Sequence, residues 1–199
     1  MNKPNGYDEA QVGGEFTPVE IGGHYLIIKN VSEMASKNGD EMIVVSFDFA
    51  SNDKQPGYFM NAFRNDIRPD KKWPHQATQY IMVKDYQDKT KTSKNFKTFC
   101  ECFKASNNCD IKWGVADWGK QFVNKFIGGV FGLVENEYNG KRYKKPELRW
   151  FCKTDAVANA TVPDEKLLKT YTAPAPAGIP VGDDFFSVPS NVPDFVPFN

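Results

Sequence analysis

Phe126 to Lys153 reads FIGGVFGLVENEYNGKRYKKPELRWFCK, and the fold turns on how that stretch is interpreted. Ile127, Val130, Phe131, Leu133 and Val134 form a β-branched and aromatic run, Glu135 to Tyr138 turn polar, and Asn139-Gly140 supplies two residues that accept positive φ in a tight type I′ turn. Lys141, Arg142, Tyr143, Lys144 and Lys145 follow, then Leu148, Arg149, Trp150 and Phe151. The stretch therefore predicts a β-hairpin with a basic tip. Cations interleaved with aromatics offer charge for phosphates and flat faces for unstacked bases. The plain alternative is a solvated surface hairpin whose Lys and Arg keep an edge strand soluble.

The chain has 199 residues, enough for one packed domain with appendages. Hydrophobic residues make up 40% and aromatics 14%, which argues for a folded core, while 13 Pro and 15 Gly place part of the length outside it. Net charge is zero, yet residues 1–88 carry 9 Lys/Arg against 13 Asp/Glu, 89–153 carry 14 against 6, and 154–199 carry 2 against 6. A basic middle followed by an acidic tail points to an anionic partner for the middle.

Cys100, Cys102, Cys109 and Cys152 contain no Cys-x-x-Cys pair, and neither His24 nor His75 lies near them in sequence. Free thiols are expected, and no metal or cofactor. With no secretory leader and no apolar run long enough to span a bilayer, a soluble, cytoplasmic protein that makes no membrane contact is expected.

In chain order, 1–17 reads as an N-terminal arm. His24–Met34 and Glu41–Ala50 read as strands joined by a turn at Ser36–Asp40, and Pro56–Phe63 as a third strand, which the short apolar run Tyr80–Val83 either continues or pairs with. Between them, Arg64 to His75 places Arg64, Arg68, Lys71, Lys72 and Trp73 in one proline-bounded connection. Trp73 is either a base-stacking platform or a plug at the end of a small barrel. Phe96, Phe99, Cys100 and Phe103 recur at helical spacing, with Thr92 or Ser93 as N-cap, which predicts an amphipathic helix over Thr92–Asn107. A second short helix introduced by Asp117 and then the basic hairpin complete a domain over 18–160. Residues 161–182 read as a Pro/Ala-rich linker, and 183–199 as an acidic, aromatic tail.

Five strands with a helix between the third and fourth is the order of the OB-fold, a Greek-key barrel that grips oligonucleotides on its second and third strands and in two of its loops, one of them joining strands 4 and 5. The expected fold is therefore mainly β with one or two helices, and the basic tip falls in that loop.

Four blocks strengthen this: GGHYLIIKNVSEMASKNGDEMIVVSFDFA, KKWPHQATQYIMVKD, NFKTFCECFKASN and FIGGVFGLVENEYNGKRYKKPELRWF. They resemble an OB-fold family of single-stranded DNA-binding proteins from phages and prophages of Gram-positive bacteria, over roughly Glu15 to Thr154. The resemblance implies DNA coating in phage replication or recombination. It also implies that a tail with Asp183, Asp184, Phe185, Phe186, Asp194, Phe195 and Phe198 recruits replication or recombination proteins.

On the domain, Arg64, Arg68, Lys71, Lys72, Arg142, Lys144, Lys145 and Arg149 are the expected phosphate contacts. Tyr58, Phe63, Trp73, Tyr138 and Tyr143 are the candidate stacking residues, with Tyr58 and Phe63 equally readable as core. Binding without catalysis is expected, with homo-oligomerisation left open. Two other classes remain: a recombination mediator or strand-annealing partner acting mainly through protein contacts, and, more remotely, a metal-dependent nuclease built on Asp48, Asp66 and Asp70.

Overall fold

The computed structural model describes residues 2–5, 7 and 17–168. The chain is mainly β. Strands β1 (Gly22–Ala35), β2 (Glu41–Phe49), β3 (Thr78–Met82), β4 (Phe126–Tyr138) and β5 (Lys141–Cys152) form one sheet in the order β3-β2-β1-β4-β5, antiparallel at every pairing. Helix α1 (Tyr58–Asn65) lies between β2 and β3, and α2 (Lys94–Asn107) between β3 and β4. Among the described residues, no helix is long and apolar enough to cross a membrane.

The sheet curls, because its inner face carries one aromatic core. Phe47 of β2 meets Phe131 of β4 and Phe151 of β5 edge-on, at 6.2 Å between centroids in each case. Phe99 on α2 touches Phe151 at 5.3 Å. The two edge strands approach one another beneath that helix, where Gln79 and Ile81 of β3 and Leu148 to Phe151 of β5 share a cavity of about 40 Å³ with Asn95 and Thr98. Above it, the Gln76 side-chain amide donates to the Pro146 carbonyl. Pro146 lies on β5, an outer strand of the sheet, where a missing N–H is tolerated.

The two central hairpins extend in opposite directions. Pairing of β1 with β4 covers only Gly22–Ile27 and Phe126–Phe131, so β1 and β2 run on past one end of that contact while β4 and β5 run on past the other. The β4–β5 arm ends at Asn139 (φ 50°) and Gly140 (φ 72°), both in the left-handed region that a type I′ turn demands.

Helix α1 corrects the sequence reading, which placed the third strand at Pro56–Phe63. Tyr58, Phe59, Ala62 and Phe63 repeat at helical spacing, and Phe59 is buried. The helix start is held by a residue distant in sequence: the buried Asp48 carboxylate accepts the N–H groups of Phe59 (2.9 Å) and Met60 (3.3 Å) as well as that of Phe49. Burial pushes the Asp48 carboxyl above the usual range despite those three donors and the nearby Lys29. The third strand is instead Thr78–Met82, which overlaps the apolar run Tyr80–Val83 that the sequence left open but starts two residues before it, and it pairs with β2 from Ser46↔Thr78 to Met42↔Met82. Helix α2 starts at Lys94 with Ser93 as its cap, the hydroxyl accepting Phe96 N–H at 3.1 Å. The short helix after Asp117 is a 3-10 turn, Trp118–Phe122.

His24 is buried at the start of β1, stacked on Phe49 at 4.2 Å. Both ring nitrogens face acceptors, Nε2 the Glu20 carbonyl (2.9 Å) and Nδ1 the Asp53 carboxylate (3.0 Å). Asp53 also accepts the N–H groups of Tyr25 and Gln55. Burial pushes Asp53 up, but His24 and these backbone donors outweigh it, and the carboxyl sits below its ordinary 3.8. Its stabilisation is therefore complete above that ordinary value and disappears as pH falls through the lowered one. Asp53→Asn would turn an amide NH2 toward Tyr25 N–H and is expected to cost about 1–3 kcal/mol at neutral pH. In urea unfolding across a pH series, the difference from wild type should shrink as acid protonates Asp53. A gap that stays constant down to strong acid would refute this.

Candidate nucleic-acid interface

The pairing of β4 with β5 sorts the hairpin residues onto two faces. Register is continuous from Phe131↔Leu148 through Glu135↔Lys144 and Glu137↔Arg142 to Tyr138↔Lys141. Directly paired residues in antiparallel strands point the same way, and neighbours along a strand point oppositely. One face, continuing the core side of Phe131 and Leu148, therefore carries Glu135, Glu137, Arg142 and Lys144. Both cations are paired: Arg142 lies 3.5 Å from Glu137 and 3.8 Å from Glu135 on the same face, and Lys144 pairs with Glu165, which follows the hairpin in sequence.

The other face carries Asn136, Tyr138, Lys141, Tyr143 and Lys145. Tyr138 is 70% exposed and Tyr143 46% exposed. Lys145 pairs with Glu147 at 3.1 Å, and the Asn136 amide reaches the same carboxylate. Lys141 has no ion-pair partner among the described residues. An aromatic face with a free cation at its tip, on an arm that runs beyond the β1–β4 contact, can stack bases and hold a phosphate without first breaking an ion pair.

The second cluster, from Tyr58 to Trp73, is divided. Tyr58 packs on the core against Phe49 and Phe59, and its burial raises the phenol pKa. Trp73 is half-buried against the core, tilted on Phe63 at 5.7 Å, and donates Nε1–H to the Ala77 carbonyl at 3.2 Å. Lys71 lies over the Phe63 ring, 5.0 Å from the centroid. Arg68 is clamped by Asp66, whose carboxyl is pulled down to about 2 by hydrogen bonds from the Arg68 guanidinium and backbone N–H. Arg64 and Lys72 are exposed and make no ion pair among the described residues. Gln76 links the end of this connection to Pro146, five residues along β5 from Lys141. The connection that carries the second cluster thus ends against β5 at Pro146.

Two residues outside the sequence-based set belong with these. Lys141 is one, and Tyr80 is the other. Tyr80 is 51% exposed at the middle of β3 and pairs with Val44. With Met42, Ser46, Thr78 and Met82 it makes up the outer face of β2 and β3 by alternation. Reading the third strand at Pro56–Phe63 had directed attention to Tyr58 and Phe63 instead. Trp150 is 45% exposed, whereas Val130 and Leu148 are buried.

Asp183, Asp184, Phe185, Phe186, Asp194, Phe195 and Phe198 lie outside the described residues. Among those described, no three His, Cys, Asp or Glu side chains are grouped to hold a metal ion. Asp48 caps α1 and Asp66 holds Arg68, so both carboxylates are engaged where they stand. Burial pushes the Cys100 thiol up to about 12 and Cys152 up to about 11, which keeps both protonated at neutral pH.

No protein-family model matches this sequence, and no curated protein matches it significantly.

Proposed function

We propose that this chain is a single-stranded DNA-binding protein of OB-fold type, which coats DNA in phage or prophage replication or recombination and recruits partners through 183–199. One observation carries the reading: Tyr138, Tyr143 and Lys141 share an exposed face of the β4–β5 arm, clear of the ion pairs on its other face. The curled sheet with α2 between β3 and β4 supports it, since the strand 4–5 loop and the outer face of strands 2 and 3 are where such a barrel binds oligonucleotides. Tyr80 then lies on that second surface. Stacking on any base and pairing with any phosphate give binding that tolerates sequence, and no step here requires bond-making chemistry.

Fluorescence titration with oligo-dT, duplex DNA and RNA over a salt series tests the proposal. Oligo-dT should bind more tightly than duplex. Affinity should fall with log salt at a slope of roughly −2 to −3, the value for three to four neutralised phosphates on a single strand. Equal affinity for duplex, or no salt dependence, would defeat the proposal.

A further inference from the structure

Where β1 ends against β4 at Gly22↔Phe131, the remaining edge of β4 would be bare, and residues 162–168 cover part of it. Lys166 N–H donates to the Leu133 carbonyl (3.0 Å) and Glu135 N–H to the Lys166 carbonyl (2.8 Å), a parallel bridge opposite Val134. Pro163 lies against Gly132, where a Cβ would stand 2.4 Å from its ring. Three further contacts involve charge. Glu165 pairs with Lys144, the Asp164 carbonyl accepts from Arg149 Nη1 (2.9 Å), and Glu135 Oε2 accepts Leu168 N–H (3.0 Å).

Lys144 and Arg149 thus already hold oxygens, one from a carboxylate and one from a carbonyl. Phosphate oxygens are acceptors that the same two cations take. Little apolar burial holds the segment in place, since Leu167 is 60% exposed and Leu168 is also exposed. Its attachments are two backbone hydrogen bonds and contacts accessible to solvent, which individually contribute little.

We propose that residues 162–168 are a displaceable strap: phosphates of bound single-stranded DNA compete for Lys144 and Arg149 and lift the strap from β4. This rests on the single-strand-binding reading of the same hairpin. Binding would then be signalled along the chain. Seven released residues add up to roughly 23 Å of reach ahead of the acidic, aromatic sequence that follows. The strap would also make Lys144 and Arg149 further DNA contacts, opened only on binding.

Hydrogen exchange of the full chain, with and without saturating oligo-dT, reads the displacement directly. The amides of Glu135 and Lys166, both donors in strap bonds, should lose protection on binding, while those pairing β1 with β4 keep theirs. In parallel, Glu165→Gln should tighten oligo-dT binding about two- to fivefold at low salt, the range for losing one exposed competing ion pair. A Val134→Cys, Lys166→Cys chain in a Cys109→Ser background should bind more weakly when oxidised and recover on reduction. Oligo-dT binding with both amides still protected, or affinities unmoved by Glu165→Gln and by the crosslink, would overturn the strap and leave the single-strand reading intact. Failure to bind oligo-dT at all would overturn both.

Discussion

Replacing Tyr138 and Tyr143 together with alanine is expected to weaken oligo-dT binding by at least about 30-fold, the lower end of two lost base-stacking contacts at about 1–3 kcal/mol each. Both rings are exposed, and they lie on one face of an arm whose backbone pairing does not depend on them, so the hairpin should survive the change. The informative control lies on the opposite face. Glu137→Gln with Arg142→Gln removes one carboxylate and the guanidinium 3.5 Å from it, leaving net charge unchanged. Because that cation is already neutralised, the double substitution should shift affinity by less than about threefold. Single removal of Arg142 is less clean, since it would leave Glu135 and Glu137 uncompensated beside the DNA. Fluorescence titration at fixed low salt compares the two double variants. A loss as large for the charge pair as for the tyrosines would show that the wrong face has been assigned.

Much of this arrangement was implicit in residues that can be read locally. Asn139-Gly140 dictates a two-residue turn, and a two-residue turn dictates register: once Tyr138 opposes Lys141, Glu137 must oppose Arg142 and Glu135 must oppose Lys144. The basic tip could therefore have been recognised in advance as half ion-paired, with the aromatics and Lys141 on the free side. Counting cations along one strand obscured this, because the compensating carboxylates lie on the other. Strands β1 and β2 and helix α2 were legible for similar local reasons, namely alternation of Val45, Phe47 and Phe49 and a Ser93 cap.

Helix α1 was not legible, and the cause is specific. Tyr58, Phe59 and Phe63 favour strands by type, and the residue that holds the helix start is Asp48, eleven positions upstream on β2. Tertiary context overrode propensity, and the error displaced the third strand by about twenty residues, hiding Tyr80. The strap was equally invisible, because a Val-Pro-Asp-Glu sequence that looks like the start of a linker reveals nothing of the β4 edge it meets.

Gly119→Ala is expected to destabilise the protein by about 3 kcal/mol or more, beyond the usual range for overpacking, and to lower its melting temperature by roughly 6–12 °C. A Cβ at Gly119 would lie 1.9 Å from the Val31 carbonyl oxygen and 2.8 Å from its carbon, both backbone atoms of β1. No rotamer relieves that. The 3-10 turn Trp118–Phe122 would have to move as a unit, yet its neighbours hold it on both sides: Trp118 stacks on Phe96 and Trp113, and Phe122 packs against Phe99 and Phe103. One effect opposes the loss. Trp118 Nε1 is buried with no hydrogen-bond partner among the described residues, so a turn that lifts from β1 could admit water to it and regain part of the about 1–3 kcal/mol of an unmet donor. Gly140→Ala separates the two causes of a glycine effect, since its φ of 72° strains any side chain while none of the described residues lies within 4 Å of the added carbon. That variant should cost only about 1–2 kcal/mol. Thermal melts in which Gly119→Ala is as mild as Gly140→Ala would mean that the turn is not seated on Val31, and the aromatic cluster joining α2 to the sheet would need a different support.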